Sequence, residues 1–140
     1  MYEPFHVLLL RTKNAYDRHL RPQMASLELS PGQPKVLRYL CAHDGCLQRE
    51  LAAYYGIEPA TVSRLLYGME EQGLIVRRIP RDNKRAAQVF ITQQGREKFA
   101  QLEQARRRID QMAFGGLSSS QREQLLQALT RVQSNLTQQD

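Results

Sequence analysis

The sequence predicts a mainly α-helical fold, a three-helix core with one β-hairpin, flanked by further helices. Three observations predict it. Apolar residues recur at helical spacing over most of the chain. Most glycines and prolines fall at the ends of those stretches, where helices stop and start. One region, about 74–92, instead has two β-rich runs around a polar turn. The 140 residues, 41% hydrophobic and 24% charged, suit a single globular domain with its own core.

The first helix is expected over about Glu3–Leu20, with Phe5, Leu8, Leu9, Tyr16 and Leu20 near helical spacing and Pro22 ending it. Ser30, Pro31 and Gln33 announce a second: serine as N-cap, proline in the first position, glutamine completing a capping box. Its inner stripe is Val36, Leu37, Leu40 and Cys41, and His43-Asp44-Gly45 stops it. Two short helices follow, Gln48–Tyr55 closed by Gly56 and Pro59–Gln72 closed by Gly73. Extended runs Leu74–Ile79 and Gln88–Thr92 flank the polar turn Pro80–Arg85. Thr92 can cap a long helix through Phe99, Leu102, Ile109 and Met112, broken at Gly115-Gly116. Ser118 caps the last helix, with Gln121 at the box position. Leu125, Leu129, Val132 and Leu136 then form one narrow seam, suited to packing on a partner helix.

The formal net charge of +6 favours a polyanionic partner, nucleic acid before an anionic membrane surface. The N-terminus lacks the basic and long apolar segments of a secretory signal, and no apolar run is long enough to span a membrane. Two cysteines are too few for a disulfide framework. A cytoplasmic, reduced protein with no membrane partner is expected.

The strongest local signal lies between Gln48 and Leu66. Two short helices that cross steeply need a turn residue able to take positive φ, which Gly56 supplies, and a small residue where they touch, which Ala52 supplies. Leu51, Tyr55, Ile57, Val62 and Leu65 then share an inner face. Ala60, Thr61, Ser63, Arg64 and Tyr67 are left outward, short polar groups and one arginine of the kind that enters a major groove. An ordinary helical hairpin with a polar outer face is the simpler alternative. Directly after it, Arg77, Arg78, Arg81, Lys84 and Arg85 cluster on the hairpin with one acid, Asp82. Such a basic loop can lie along phosphates and reach a narrow minor groove. By itself it is equally a solvated turn, but the order helix–turn–helix–strand–basic loop–strand describes a winged helix-turn-helix.

At this point the chain resembles the MarR family of repressors. The matching stretches are LSPGQPKVLRYL (29–40), QRELAAYYGIEPATVSRLLYGMEEQGLIVR (48–77) and NKRAAQVFITQQG (83–95). The resemblance covers nearly the whole chain. It implies one domain in which 1–28 and 93–140 are dimerisation helices and 29–92 is the winged DNA-binding region. It further implies a homodimer on a palindromic operator in double-stranded DNA, released by a small aromatic or anionic effector. Family members carry Asp-x-Arg in the wing. Here the arginine falls on Arg85, and Asn83 stands in the aspartate position, able to accept a hydrogen bond without charge assistance. Gln48 and Arg49 are expected to touch phosphate. Thr61, Ser63 and Arg64 are expected to read bases with Ala60 in apolar contact and Tyr67 beside them. Arg81, Asn83, Lys84 and Arg85 are expected to hold the backbone and minor groove. By the family's layout Tyr16, Tyr39 and Phe99 are candidate effector-binding residues, and they serve equally well as core.

Other constellations point nowhere. Cys41, His43 and Cys46 lack the second ligand pair of a structural zinc site. Arg106-Arg107-Arg108 suits a solvated helix face, with phosphate contact as the alternative. There is no Ser/His/Asp set, carboxylate pair or phosphate-binding glycine loop, so neither an enzyme nor a cofactor is expected. A winged module that binds protein, and a DNA-binding protein without an effector, remain the alternative functions.

Overall fold

The computed structural model describes residues 1–138. Six helices run in chain order: α1 (Phe5–Ser26), α2 (Gln33–Ala42), α3 (Gln48–Tyr55), α4 (Pro59–Glu71), α5 (Gln93–Ala113) and α6 (Ser119–Thr137). Three strands, β1 (Cys46–Leu47), β2 (Ile75–Arg78) and β3 (Gln88–Ile91), form one antiparallel sheet in the order β1-β3-β2. In the hairpin Ile75 lies opposite Ile91 and Arg78 opposite Gln88. β1 pairs Cys46 with Val89. This two-residue strand escapes sequence reading, since it exists only by pairing with β3.

The chain divides into two compact units, residues 1–106 and 107–140. The core of the first is apolar apart from Gln33. Val36, Leu37 and Leu40 of α2, Leu51 of α3, and Val62, Leu66 and Met69 of α4 are buried with Leu74, Ile75 and Val89 of the hairpin. In the second unit, α6 has no buried residue. Its N-terminus is built as the sequence requires: Ser118 Oγ accepts from the Gln121 N–H (3.1 Å), and Gln121 Oε1 accepts from the Ser118 N–H (2.9 Å).

Three local expectations need correction. α1 continues through Pro22 to Ser26. Proline costs the helix one hydrogen bond to the carbonyl of residue 18. Arg18 and Pro22 are both exposed, so water can satisfy that carbonyl, while buried Leu20 and half-buried Met24 keep the helix on its core face. α2 starts at Gln33, with Gly32 rather than Ser30 as N-cap. Gly32 has φ 93°, left-handed backbone that a helix cannot include. The Gln33 side chain still accepts from the Ser30 N–H at 3.0 Å, so half of the capping box forms around a turn. Cys41 is exposed rather than part of the inner stripe of α2, and Cys46 in β1 is the buried thiol.

Gln33 is the buried polar residue among the described ones, and both polar atoms of its amide are hydrogen-bonded. Its Nε2 donates to Gln72 Oε1 at 2.6 Å, and Gln72 Nε2 donates to the Glu28 carbonyl at 2.9 Å. The end of α4 is thereby tied to the segment that follows α1.

Candidate nucleic-acid interface

α3 and α4 meet across a turn that needs glycine. Gly56 has φ 64°, and the Ile57 N–H donates to the Ala52 carbonyl at 3.0 Å. Ala52 is buried where the two helices touch, which lets their backbones approach. Pro59 occupies the first turn of α4, where a missing N–H is harmless. Glu58 precedes it as N-cap without a side-chain capping bond.

Burial fixes the outer face of α4. Val62, Leu66 and Met69 point into the core and Leu65 is half-buried. Ala60, Thr61, Arg64 and Tyr67 are exposed, and Ser63 is half-buried. Arg64 Nη2 lies 3.5 Å from Thr61 Oγ1, one turn earlier. The first two turns of α4 therefore present a short hydroxyl and a guanidinium side by side.

The hairpin loop holds Arg81, Asp82, Asn83, Lys84 and Arg85, all exposed. Arg81, Lys84 and Arg85 have no ion-pair partner among the described residues. Asn83 Oδ1 accepts from the backbone N–H of Arg85 (3.1 Å) and opens a single 3₁₀ turn, Lys84–Ala86. Asn83 thus fixes the main chain of Arg85 rather than its guanidinium. From the other side, Arg49 Nη1 donates to the Arg85 carbonyl at 3.2 Å. Arg49 anchors the wing to α3. Gln48, Arg49, Ala52, Pro59, Lys84 and Arg85 line a cleft of about 550 Å³ between α3, the start of α4 and the wing. Three cations and no acid face it.

Two of the five cations in the expected basic cluster lie elsewhere. Arg77 is in β2 with only 9% of its side chain exposed, paired to Glu70 of α4 at 3.2 Å. Arg78 lies over the Phe90 ring, 4.9 Å from its centroid. Sequence reasoning counted both as wing charge and passed over Glu70. The available signal was an acid and a base seven residues apart across the Gly73 turn.

Tyr39 and Phe99 fall in different places. Tyr39 stacks with His43, Tyr54 and Tyr55 at 4.5–6.2 Å between centroids. Phe99 lies under Arg38 at 5.6 Å, and Tyr16 is half-buried on α1. A separate cleft of about 690 Å³ in the first unit is lined by Lys13, Asp17, Leu20, Arg21, Met24, Ala25, Leu29, Pro31, Gly32, Pro34, Lys35 and Arg106. None of the three aromatic residues lines it. Arg106 is partly buried and paired with Glu103 at 3.2 Å, whereas Arg107 and Arg108 are exposed. No group of three or more His, Cys, Asp or Glu side chains among the described residues is placed to hold a metal ion.

A helix-turn-helix beside a hairpin wing, with flanking helices, defines the class: a winged helix-turn-helix regulator. A sequence profile of the MarR family matches residues 27–86. The crystal structure of the transcriptional regulator PA3341 is 31% identical to this chain. It covers 97% of this chain and 100% of its own, with a TM-score of 0.78. A MarR-family regulator from Silicibacter pomeroyi is 29% identical, covering 91% and 86%, at 0.73. A putative MarR-family regulator from Listeria monocytogenes, solved with a 26mer DNA, is 24% identical, covering 97% and 90%, at 0.78. Among curated proteins, the HTH-type transcriptional repressor IacR of Pseudomonas putida is 25% identical over 133 residues, 95% of this chain and 79% of IacR. The chain belongs to the MarR family and is a transcriptional regulator, not an enzyme.

Proposed function

We propose that this regulator is a cytoplasmic, ligand-responsive repressor that binds a palindromic operator in duplex DNA as a homodimer. The observation that carries the DNA reading is the surface formed by the first turns of α4 and the wing. There, Thr61 and Arg64 are exposed on the helix whose first residue, Pro59, shares a cleft with Lys84 and Arg85, and Arg81 is exposed on the same loop, with Asp82 its one acid. Thr61, Ser63 and Arg64 read base edges in the major groove, with Ala60 and Tyr67 in apolar contact. Gln48, Arg49, Lys84 and Arg85 hold phosphate around the basic cleft, and Arg81 and Asn83 lie along the adjoining backbone. The DNA complex of the Listeria relative and the repressor role of IacR support this direction. No helix of the described residues is long and apolar enough to cross a membrane.

Release by a small molecule takes place, in this reading, at the 690 Å³ cleft. Arg21 and Lys35, without an ion-pair partner among the described residues, bring positive charge to it beside the Lys13–Asp17 and Arg106–Glu103 pairs, and Leu20, Met24, Leu29 and Pro34 bring apolar wall. That combination suits an amphipathic anion.

Selection of duplex DNA by the purified protein, followed by anisotropy titration, tests the proposal. Arg64→Ala is expected to reduce discrimination between selected and random duplex by about 1–3 kcal/mol at fixed salt. An unchanged specificity ratio would remove Arg64 from base reading.

A further inference from the structure

Arg77 is the cation that the wing does not display. A guanidinium taken out of water needs acceptors for its donors. Glu70 of α4 supplies one: its Oε1 accepts from Arg77 Nη2, while its Oε2 accepts from the Arg77 backbone N–H, each at 3.2 Å, and Arg77 Nε is left without an acceptor. Arg77 Nη1 donates to Gln48 Oε1 at 3.4 Å. Gln48 is the first residue of α3 and is half-buried. One buried side chain of β2 therefore holds both helices of the helix-turn-helix.

The contact also decides which way the Gln48 amide faces. Arginine has only donors, so Gln48 must turn its oxygen toward Arg77. Its Nε2 makes no hydrogen bond among the described residues and is left with two N–H donors. Gln48 also lines the 550 Å³ cleft with Arg49, Lys84 and Arg85. A group entering that cleft thus meets amide donors beside three cations, which is the recognition chemistry of a phosphate oxygen.

We propose that Arg77 is a positioning residue for DNA binding, holding Gln48 so that its amide donates to a backbone phosphate in the basic cleft, and fixing that point to α4 through Glu70. The proposal rests on the DNA-binding reading above and adds a residue that itself touches no DNA.

Anisotropy titration of a mixed-sequence duplex at fixed salt tests it on the full chain. Gln48→Ala is expected to weaken binding by about three- to tenfold, the worth of one net hydrogen bond. Arg77→Lys keeps a charge for Glu70 but loses the fork that reaches Gln48, and it should weaken binding by a similar factor. The double variant should then bind within about twofold of either single one, because both changes remove the same contact. A merely structural role for Arg77 would make the two losses multiply, and that result overturns the proposal. Gln48→Glu provides a check that does not depend on how well Arg77→Lys folds. It keeps an acceptor for Arg77 but offers the phosphate a negative charge in place of donors, so it should bind more weakly than Gln48→Ala. Wild-type affinity in Gln48→Glu overturns the proposal and leaves DNA binding standing. A wild-type chain that binds no duplex removes both.

Discussion

Individual side chains show how closely local chemistry is matched to position. Thr92 Oγ1 accepts from the Gly95 N–H at 3.0 Å and donates to the Gly73 carbonyl at 2.6 Å, so one hydroxyl caps α5 and joins it to the turn before β2. Gly95 has no room for a side chain, because an added Cβ would lie 2.3 Å from the Leu74 carbonyl oxygen. Gly68, inside α4, differs: no atom lies within 4 Å of its added Cβ. Gly68→Ala is expected to stabilise the chain by about 0.5–1 kcal/mol, through helix propensity alone. A lowered thermal midpoint would contradict that. The two thiols also separate. Burial pushes Cys46 up to about 11 from its ordinary 9.0, and Cys41 is exposed. Cys41 should react first with a thiol reagent in the native chain. An unfolded Cys46 ionises near 9.0 and a folded one only at about 11. Its contribution to stability is therefore whole below pH 9 and falls as pH rises toward 11. Denaturant titrations across that window should show a decline that Cys46→Ala reduces.

At the scale of elements, the wing tip is held at Arg85, through both polar groups of its main chain. Arg49 reaches the Arg85 carbonyl from α3, and Asn83 takes the Arg85 N–H. Both bonds use main chain, which leaves the guanidinium of Arg85 for a partner. Arg85→Ala should weaken DNA binding and lower the slope of log affinity against log salt by about one. An unchanged slope would take Arg85 off the phosphate backbone. α4 is defined at its start by local sequence and at its end by a neighbour that sequence pattern alone does not pair with it. Pro59 and the Gly56 turn set its start, and the Gln33–Gln72–Glu28 chain holds its last residues.

At the scale of the whole molecule, large apolar side chains remain uncovered on two helices. Phe5, Leu8, Leu9 and Leu10 of α1 are exposed, and so are Leu125, Leu126, Leu129 and Leu136 of α6. Exposed apolar surface of this extent marks an interaction site. We propose a second copy of the chain as the partner, because it would supply the two-fold symmetry of the proposed palindromic operator. Sedimentation velocity at micromolar concentration should give a dimer, and Leu125→Lys with Leu129→Lys should shift it toward monomer. A wild-type monomer would contradict the assignment.

The sequence by itself determined the order of elements, the helix-turn-helix boundaries and the place of the wing. Each rests on interactions between near neighbours: the Gly56 turn, the Pro59 start, the Ser118–Gln121 box and the alternation of two short runs about a polar loop. It also determined which face of α4 is outward, because helical period and hydrophobicity suffice for that. Tertiary structure decided what local chemistry could not. It carried α1 past Pro22, where an exposed carbonyl can turn to water. It created β1, which has no propensity signal and exists by pairing with β3. It drew Arg77 out of the wing into a part-buried pair with Glu70, because a charge can leave water only where the fold brings a partner to it.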